Sequence, residues 1–346
     1  MPPWKMEDEF ALSRNQTMWR YIGKRFLYML FTIWVVTVIS FVVIQLPPGD
    51  FVSNLVSQMV KSGAGDLPTD FENKMREMYG LNEPMYVQYC KWIGNILTKG
   101  QFGYSFLYQR DASALIVERL PMTFLLSLFT LLFVWAAAIP IGIYSAVRQY
   151  SLGDYLFTFI GFIGLAVPNF LLALLCLFFA YRFFDQAMIG LFSAEFADAP
   201  WSWAKFVDML QHLWIPVLII GIGGTAGLIR TMRANMLDEL HRPYVETARA
   251  KGLSERRLLW KYPVRHALNP FVSTLGWALP ALIAGEVIVA IVLNLPTSGP
   301  ILLRALMAQD MYLASGFILM LSALTVIGTF ISDVLLAWLD PRIRLQ

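Results

Sequence analysis

Charge is scarce in this chain: 15% of its 346 residues are Asp, Glu, Lys or Arg, against about 25% in an ordinary soluble domain. With 57% hydrophobic residues and a mean hydropathy of +0.57, that deficit argues against a soluble globular chain and for a polytopic membrane protein. Cysteine is almost missing. Cys90 and Cys176, the second inside an apolar run, supply neither a disulfide framework nor a thiolate metal set. The three histidines, His212, His241 and His266, are scattered and add no metal cluster. A net charge of +3 is too small to suggest nucleic acid. A phosphate-cradling G-x-x-x-x-G-K-[ST] pattern is also lacking: the glycine-rich stretch from Gly221 to Gly227 runs straight into Leu228-Ile229-Arg230.

Long apolar runs are what the chain has instead. Six of them, Phe26–Leu46, Pro121–Ile143, Tyr155–Tyr181, Leu213–Ile229, Phe271–Leu293 and Ala314–Leu339, are each long enough to cross a bilayer at about 1.5 Å per helical residue. The first is longer than a signal-peptide core and is followed by Pro47-Pro48-Gly49, not a small-x-small cleavage site, so it reads as a retained helix. Residues 47–120 are polar, and two short amphipathic helices are expected there. One begins near Thr69 with Phe71, Met75 and Met78 on one face. The other begins at Pro84 with Val87, Cys90, Ile93 and Leu97 at helical spacing. This region fits either a solvated cap or a docking surface.

Basic residues set an expected orientation. With the N-terminus inside, the segments 1–25, 144–154, 230–270 and 340–346 hold seventeen of the 27 Lys and Arg residues, whereas the outer loops 182–212 and 294–313 hold three. Both termini are therefore expected in the cytoplasm.

Within the runs, Gly223 and Gly227 form a G-x-x-x-G that allows close helix approach. Pro140, Pro168 and Pro280 each remove a backbone donor in mid-span. Glu286 and Asp333 are carboxylates in apolar surroundings, where an ionised group costs several kcal/mol unless it is paired, hydrated or protonated. Glu286 is the deeper one and is a candidate for the translocation pathway. Asp333 lies a few residues from the inner boundary and can reach water or a helix end.

Nine Lys and Arg residues fall between Arg230 and Pro270. Pro243 suits the first turn of a short helix that Gly252 stops, and Ser254 can cap a second helix ending near Tyr262. The physical picture is a helix–glycine–helix knuckle facing the cytoplasm. Its cations fit equally a docking surface or a topology-fixing contact with anionic headgroups.

The run Tyr244-Val245-Glu246-Thr247-Ala248-Arg249-Ala250-Lys251-Gly252-Leu253, followed by Arg265-His266-Ala267-Leu268-Asn269-Pro270, resembles the "EAA" signature of ABC-importer permeases. Leu46-Pro47-Pro48-Gly49-Asp50, Tyr79-Gly80-Leu81-Asn82-Glu83-Pro84, Gly103-Tyr104-Ser105, Arg119-Leu120-Pro121-Met122-Thr123 and Leu339-Asp340-Pro341-Arg342-Ile343-Arg344 extend the resemblance from about residue 18 to the end. Together they resemble the first, or B-type, permease of the dipeptide/oligopeptide/nickel branch.

That resemblance implies an all-α membrane protein with six transmembrane helices and the type I ABC-importer permease fold. A cytoplasmic segment 1–25 leads into helix 1 (26–46), a small extracytoplasmic region (47–120), a five-helix core (121–339) holding the 230–270 coupling segment, and a cytoplasmic tail (340–346). It implies a multi-pass inner-membrane transport subunit, not an enzyme, with no cofactor of its own because ATP is bound by partner subunits. The implied partners are a homologous second permease, cytoplasmic ATP-binding subunits and an extracytoplasmic solute-binding protein. Glu246, Ala248, Arg249, Gly252 and Leu253 would be the ATPase-coupling residues: Glu246 a polar anchor, Ala248 a close-packing contact, Gly252 the turn. The cargo would be peptides or similar small solutes, since some members carry oligosaccharide or opine-like compounds. Glu246-Thr247-Ala248 departs from Glu-Ala-Ala. Ala290 stands where the branch usually has an acid, and Leu295-Pro296-Thr297-Ser298-Gly299-Pro300 replaces an aromatic-Pro-Gly-Leu-Gly loop. The last two departures bear on cargo, not coupling. A different class of reading, a proton-coupled secondary transporter using Glu286 or Asp333, would call for inverted repeats, and none is visible.

Overall fold

A computed structural model of the chain describes residues 3–45, 82–184, 190–197, 199–273 and 287–339, together with residues 52, 53, 56, 73, 74, 76 and 77. Among the described residues the structure is helical apart from one small hairpin. The elements are α1 (Pro3–Gln45), α2 (Met85–Lys99), β1 (Tyr104–Ser105), β2 (Arg110–Asp111), α3 (Ala112–Val147), α4 (Leu152–Ala166), α5 (Asn169–Phe184), α6 (Trp203–Leu240), α7 (Pro243–Ala250), α8 (Glu255–Lys261), α9 (Pro263–Ala267), α10 (Ser298–Met307) and α11 (Met311–Leu339). In the hairpin, Tyr104 lies opposite Asp111.

Among the described residues, four stretches are long and apolar enough to cross a membrane: Met18–Val42, Ala112–Val147, Trp203–Leu240 and Met311–Ala337. The third expected span is not one helix. It is broken into α4 and α5, bent by 99°, because Pro168 brings no N–H and forces the residue before it out of the helical region. Val167 is accordingly extended, at φ −92° and ψ 123°. Pro140, by contrast, stays inside an unbroken α3. The expected span Phe271–Leu293 crosses 274–286, so Pro280 and Glu286 lie outside the described residues; residues 269–273 and 287–292 on either side are helical. The helix expected near Thr69, with Phe71, Met75 and Met78, also lies outside them.

The chain divides into two compact units: residues 1–27, 124–296 and 327–346 form one, and residues 28–123 and 297–326 the other. In the first, α6 is the central helix, with α4, α5 and α9 packed on it. The tightest approaches in this unit are made by glycines other than those the sequence pattern singled out. A Cβ added at Gly142 would lie 2.5 Å from Cβ of Met232, and one at Gly221 would lie 2.7 Å from the Phe133 ring. Gly223 does permit an approach, its added Cβ falling 3.6 Å from the carbonyl oxygen of Gly164, whereas Gly227 has nothing within 4 Å. A buried cluster of Ala138, Ala146, Ile229, Met232, Met236, Val264, Ala267 and Phe271 ties α3, α6 and α9 together. Asp333 is also accounted for here: Nη1 of Arg25 lies 2.9 Å from its Oδ2. Arg25, at the end of the basic segment that precedes the first apolar run, thus supplies its partner.

In the second unit α2 begins directly after Pro84, as expected, but its packed face is rotated from the sequence reading. Trp92 is buried against Phe41, with Tyr89, Ile93 and Ile96 beside it, while Cys90 and Leu97 are exposed. The indole explains the rotation: its large apolar surface favours burial, and its N–H still reaches the carbonyl of Phe102 at 2.9 Å. Asp310, wholly buried just ahead of α11, accepts hydrogen bonds from the Ser105 hydroxyl at 2.6 Å and the Leu107 N–H at 3.0 Å. Burial pushes its pKa up, and these donors pull in the opposite direction.

Candidate functional site

The cytoplasmic-type segment folds as three short helices. Arg242 is extended and Pro243 occupies the first turn of α7, where its missing N–H breaks no bond. The helix ends at Ala250, and Gly252 then turns the chain at φ +78°, a conformation that costs an L-residue roughly 1–2 kcal/mol. The N–H of Gly252 reaches the Arg249 carbonyl at 3.0 Å, and that of Leu253 reaches Ala248 at 3.3 Å, closing the helix end. Ser254 is extended before α8, but its hydroxyl makes no capping bond. Pro263 both follows α8 and opens α9.

Val245, Ala248 and Leu258 form a small buried core, flanked by Tyr244, Leu253 and Tyr262. Across the Gly252 turn, Arg249 grips Glu255 with two bonds, Nε–Oε1 at 2.6 Å and Nη2–Oε2 at 3.2 Å. The guanidinium lowers the Glu255 pKa, and the carboxylate raises that of Arg249. The Tyr244 hydroxyl donates to the Glu239 carboxylate. Its pKa is raised, first by burial and then by that carboxylate. The two helices are thus closed by their own side chains and joined through α9 to α6.

The coupling candidates therefore separate. Glu246 and Gly252 are exposed, while Ala248 faces the interior of the knuckle at 6% exposure. Leu253 packs against the small core, and Arg249 is engaged across the turn. The outward surface adds a residue that the sequence reading passed over: Trp260 on α8 is 60% exposed, with Arg256, Arg257 and Lys261 also exposed. An aromatic set among three cations was its signal, and helical geometry alone would not show that it points away from the core.

Residues 138–345 match the family described as binding-protein-dependent transport system inner membrane component, and residues 18–127 match the N-terminal component of the same systems. The chain belongs to this permease family. Relatives include the oligopeptide transport system permease protein AppB of Bacillus subtilis (strain 168). It is 34% identical over 328 residues, covering 94% of this chain and 99% of the relative. The oligopeptide transport system permease protein OppB of Haemophilus influenzae is 30% identical, over 94% of this chain and 100% of its own. Among solved structures, the methionine ABC transporter MetNI in an inward-facing conformation matches at a TM-score of 0.50 and 16% identity. It covers 65% of this chain and 96% of that one, which speaks to fold alone.

This permease is a multi-pass inner-membrane subunit of an ABC transporter and performs no catalysis itself; ATPase subunits and a binding protein complete the system. Asp333, one of the two carboxylates on which a proton-coupled reading would rest, is ion-paired with Arg25. Among the described residues there is no cluster of His, Cys, Asp and Glu able to hold a metal.

Proposed function

We propose that this permease forms half of the translocation pathway of a type I importer for peptides or similar small solutes, paired with a homologous second permease. In this reading six helices span the membrane, the fifth over 271–293, with both termini and the 230–270 segment in the cytoplasm. Residues 47–120 face the binding protein. The oligopeptide systems to which the named relatives belong support the cargo class.

The observation carrying the mechanism is that the helix pair has its own core and is joined to α6 by α9. A rigid body so attached can receive motion from a closing ATPase pair and pass it to the spanning helices. Such coupling requires two bundle arrangements of similar free energy, which both the ATP site and the cargo site bias. Glu246 contacts the ATPase; Gly252 makes the turn, and Ala248, Arg249 and Leu253 keep the knuckle in shape. Glu286 lines the cargo path.

Glu246→Lys tests the docking role, because Glu246 is exposed and its replacement leaves the small core intact. ATPase copurification and cargo-stimulated ATP turnover in liposomes should fall together while the permease stays folded. Unchanged values for both would refute the assignment.

A further inference from the structure

A cleft of about 250 Å³ opens between α4 and α6. Phe157, Thr158, Phe162 and Leu165 line it from α4, and Arg230 and Arg233 from α6. Its depth in the membrane follows from α6 itself. The seventeen residues from Leu213 to Ile229 carry no charge and rise roughly 26 Å at 1.5 Å each. Arg230 is the first charged residue after them. It therefore stands where hydrocarbon gives way to headgroups, and the α4 side chains reach from that level into the acyl region.

The two arginines are held differently. Nη2 of Arg233 lies 3.0 Å from Oδ2 of Asp154, a residue only 4% exposed, and the same oxygen accepts the Tyr150 N–H at 3.0 Å. Behind that pair, Nε of Arg233 is buried with no hydrogen-bond partner. Arg230 lies over the Phe162 ring at 5.9 Å; it is exposed and, among the described residues, makes no ion pair. Phe159, Ile160 and Ile163 continue the apolar wall outward on α4 at 46% exposure or more. Gly161, whose added Cβ would lie 3.3 Å from that of Ala226, keeps the helices close.

A guanidinium at headgroup depth matches a phosphate, and an apolar wall beneath it matches an acyl chain. Basic pockets between spanning helices at this level suit anionic headgroups. We propose that the α4–α6 cleft binds one anionic phospholipid, its phosphate on Arg230 and its chain along Phe162 and Leu165. A water-soluble anion would gain nothing from the apolar half of the site.

The test is native mass spectrometry of the complete detergent-purified transporter, titrated with phosphatidylglycerol or with phosphatidylcholine of the same chains. The wild type should prefer phosphatidylglycerol. Arg230→Gln should weaken that lipid about fivefold, the effect of one cation near the surface, and leave phosphatidylcholine unchanged. Arg230→Lys should restore most of the preference, and Arg304→Gln, a charge control outside the cleft, should not disturb it. Thr158→Trp, which fills the cleft with both arginines present, should abolish the preferred binding. Equal binding of the two lipids by the wild type, an unaffected Arg230→Gln or an unaffected Thr158→Trp would overturn the proposal. So would displacement of the lipid by millimolar inorganic phosphate, which would make the site one for free anions.

Discussion

Replacing Gly252 by alanine isolates one backbone conformation from everything else in the cytoplasmic segment. At φ +78° the residue is left-handed, and a Cβ added there meets nothing within 4 Å. The substitution therefore brings no clash and removes no packed atom. Its cost is the left-handed penalty alone, roughly 1–2 kcal/mol, which shifts the folded knuckle against its opened forms by roughly five- to thirtyfold. Asparagine tolerates this region better than alanine, so Gly252→Asn should fall between alanine and wild type. The assay has two arms. Hydrogen exchange over 243–262 should rise in the order Gly, Asn, Ala, and cargo-stimulated ATP turnover of the reconstituted transporter should fall in the same order. If alanine and asparagine behave alike, or if exchange rises while turnover is unchanged, the link from the Gly252 turn to coupling is refuted.

Two other outcomes follow from ion pairs. Arg25→Gln leaves Asp333 without its 2.9 Å partner and should lower the thermal midpoint in detergent, while Arg25→Gln with Asp333→Asn should recover part of the loss; a double variant no better than the single would show that the pair is incidental. Because Arg249 lowers the Glu255 pKa, the stabilisation it brings is present above the ordinary glutamate value of about 4.3 and is lost as pH falls through the lowered folded value. Exchange at 249–258, corrected for intrinsic rates, should therefore rise between pH 5 and pH 3, and Glu255→Gln should remove that dependence; a flat profile in the parent protein would count against the pair.

Much of this protein is legible one residue at a time. Whether a stretch belongs in lipid depends on summed transfer free energy, so the apolar runs that became α1, α3, α6 and α11 could be read directly from sequence. Pro243 and Gly252 act on their own backbone, which is why the helix–glycine–helix segment kept its expected boundaries. Family membership was carried by linear motifs in the same way. Tertiary structure decided whatever depends on a neighbour distant in sequence. Pro168 broke its span, whereas Pro140, which lacks the same donor, sits inside an unbroken helix. Gly142 and Gly221 meet bulky side chains whereas Gly227 faces open space. Asp333 found Arg25 across more than three hundred residues, and Ala248 turned inward because Val245 and Leu258 needed covering. The α4–α6 cleft belongs with these, since its two walls come from helices whose separation no periodicity records.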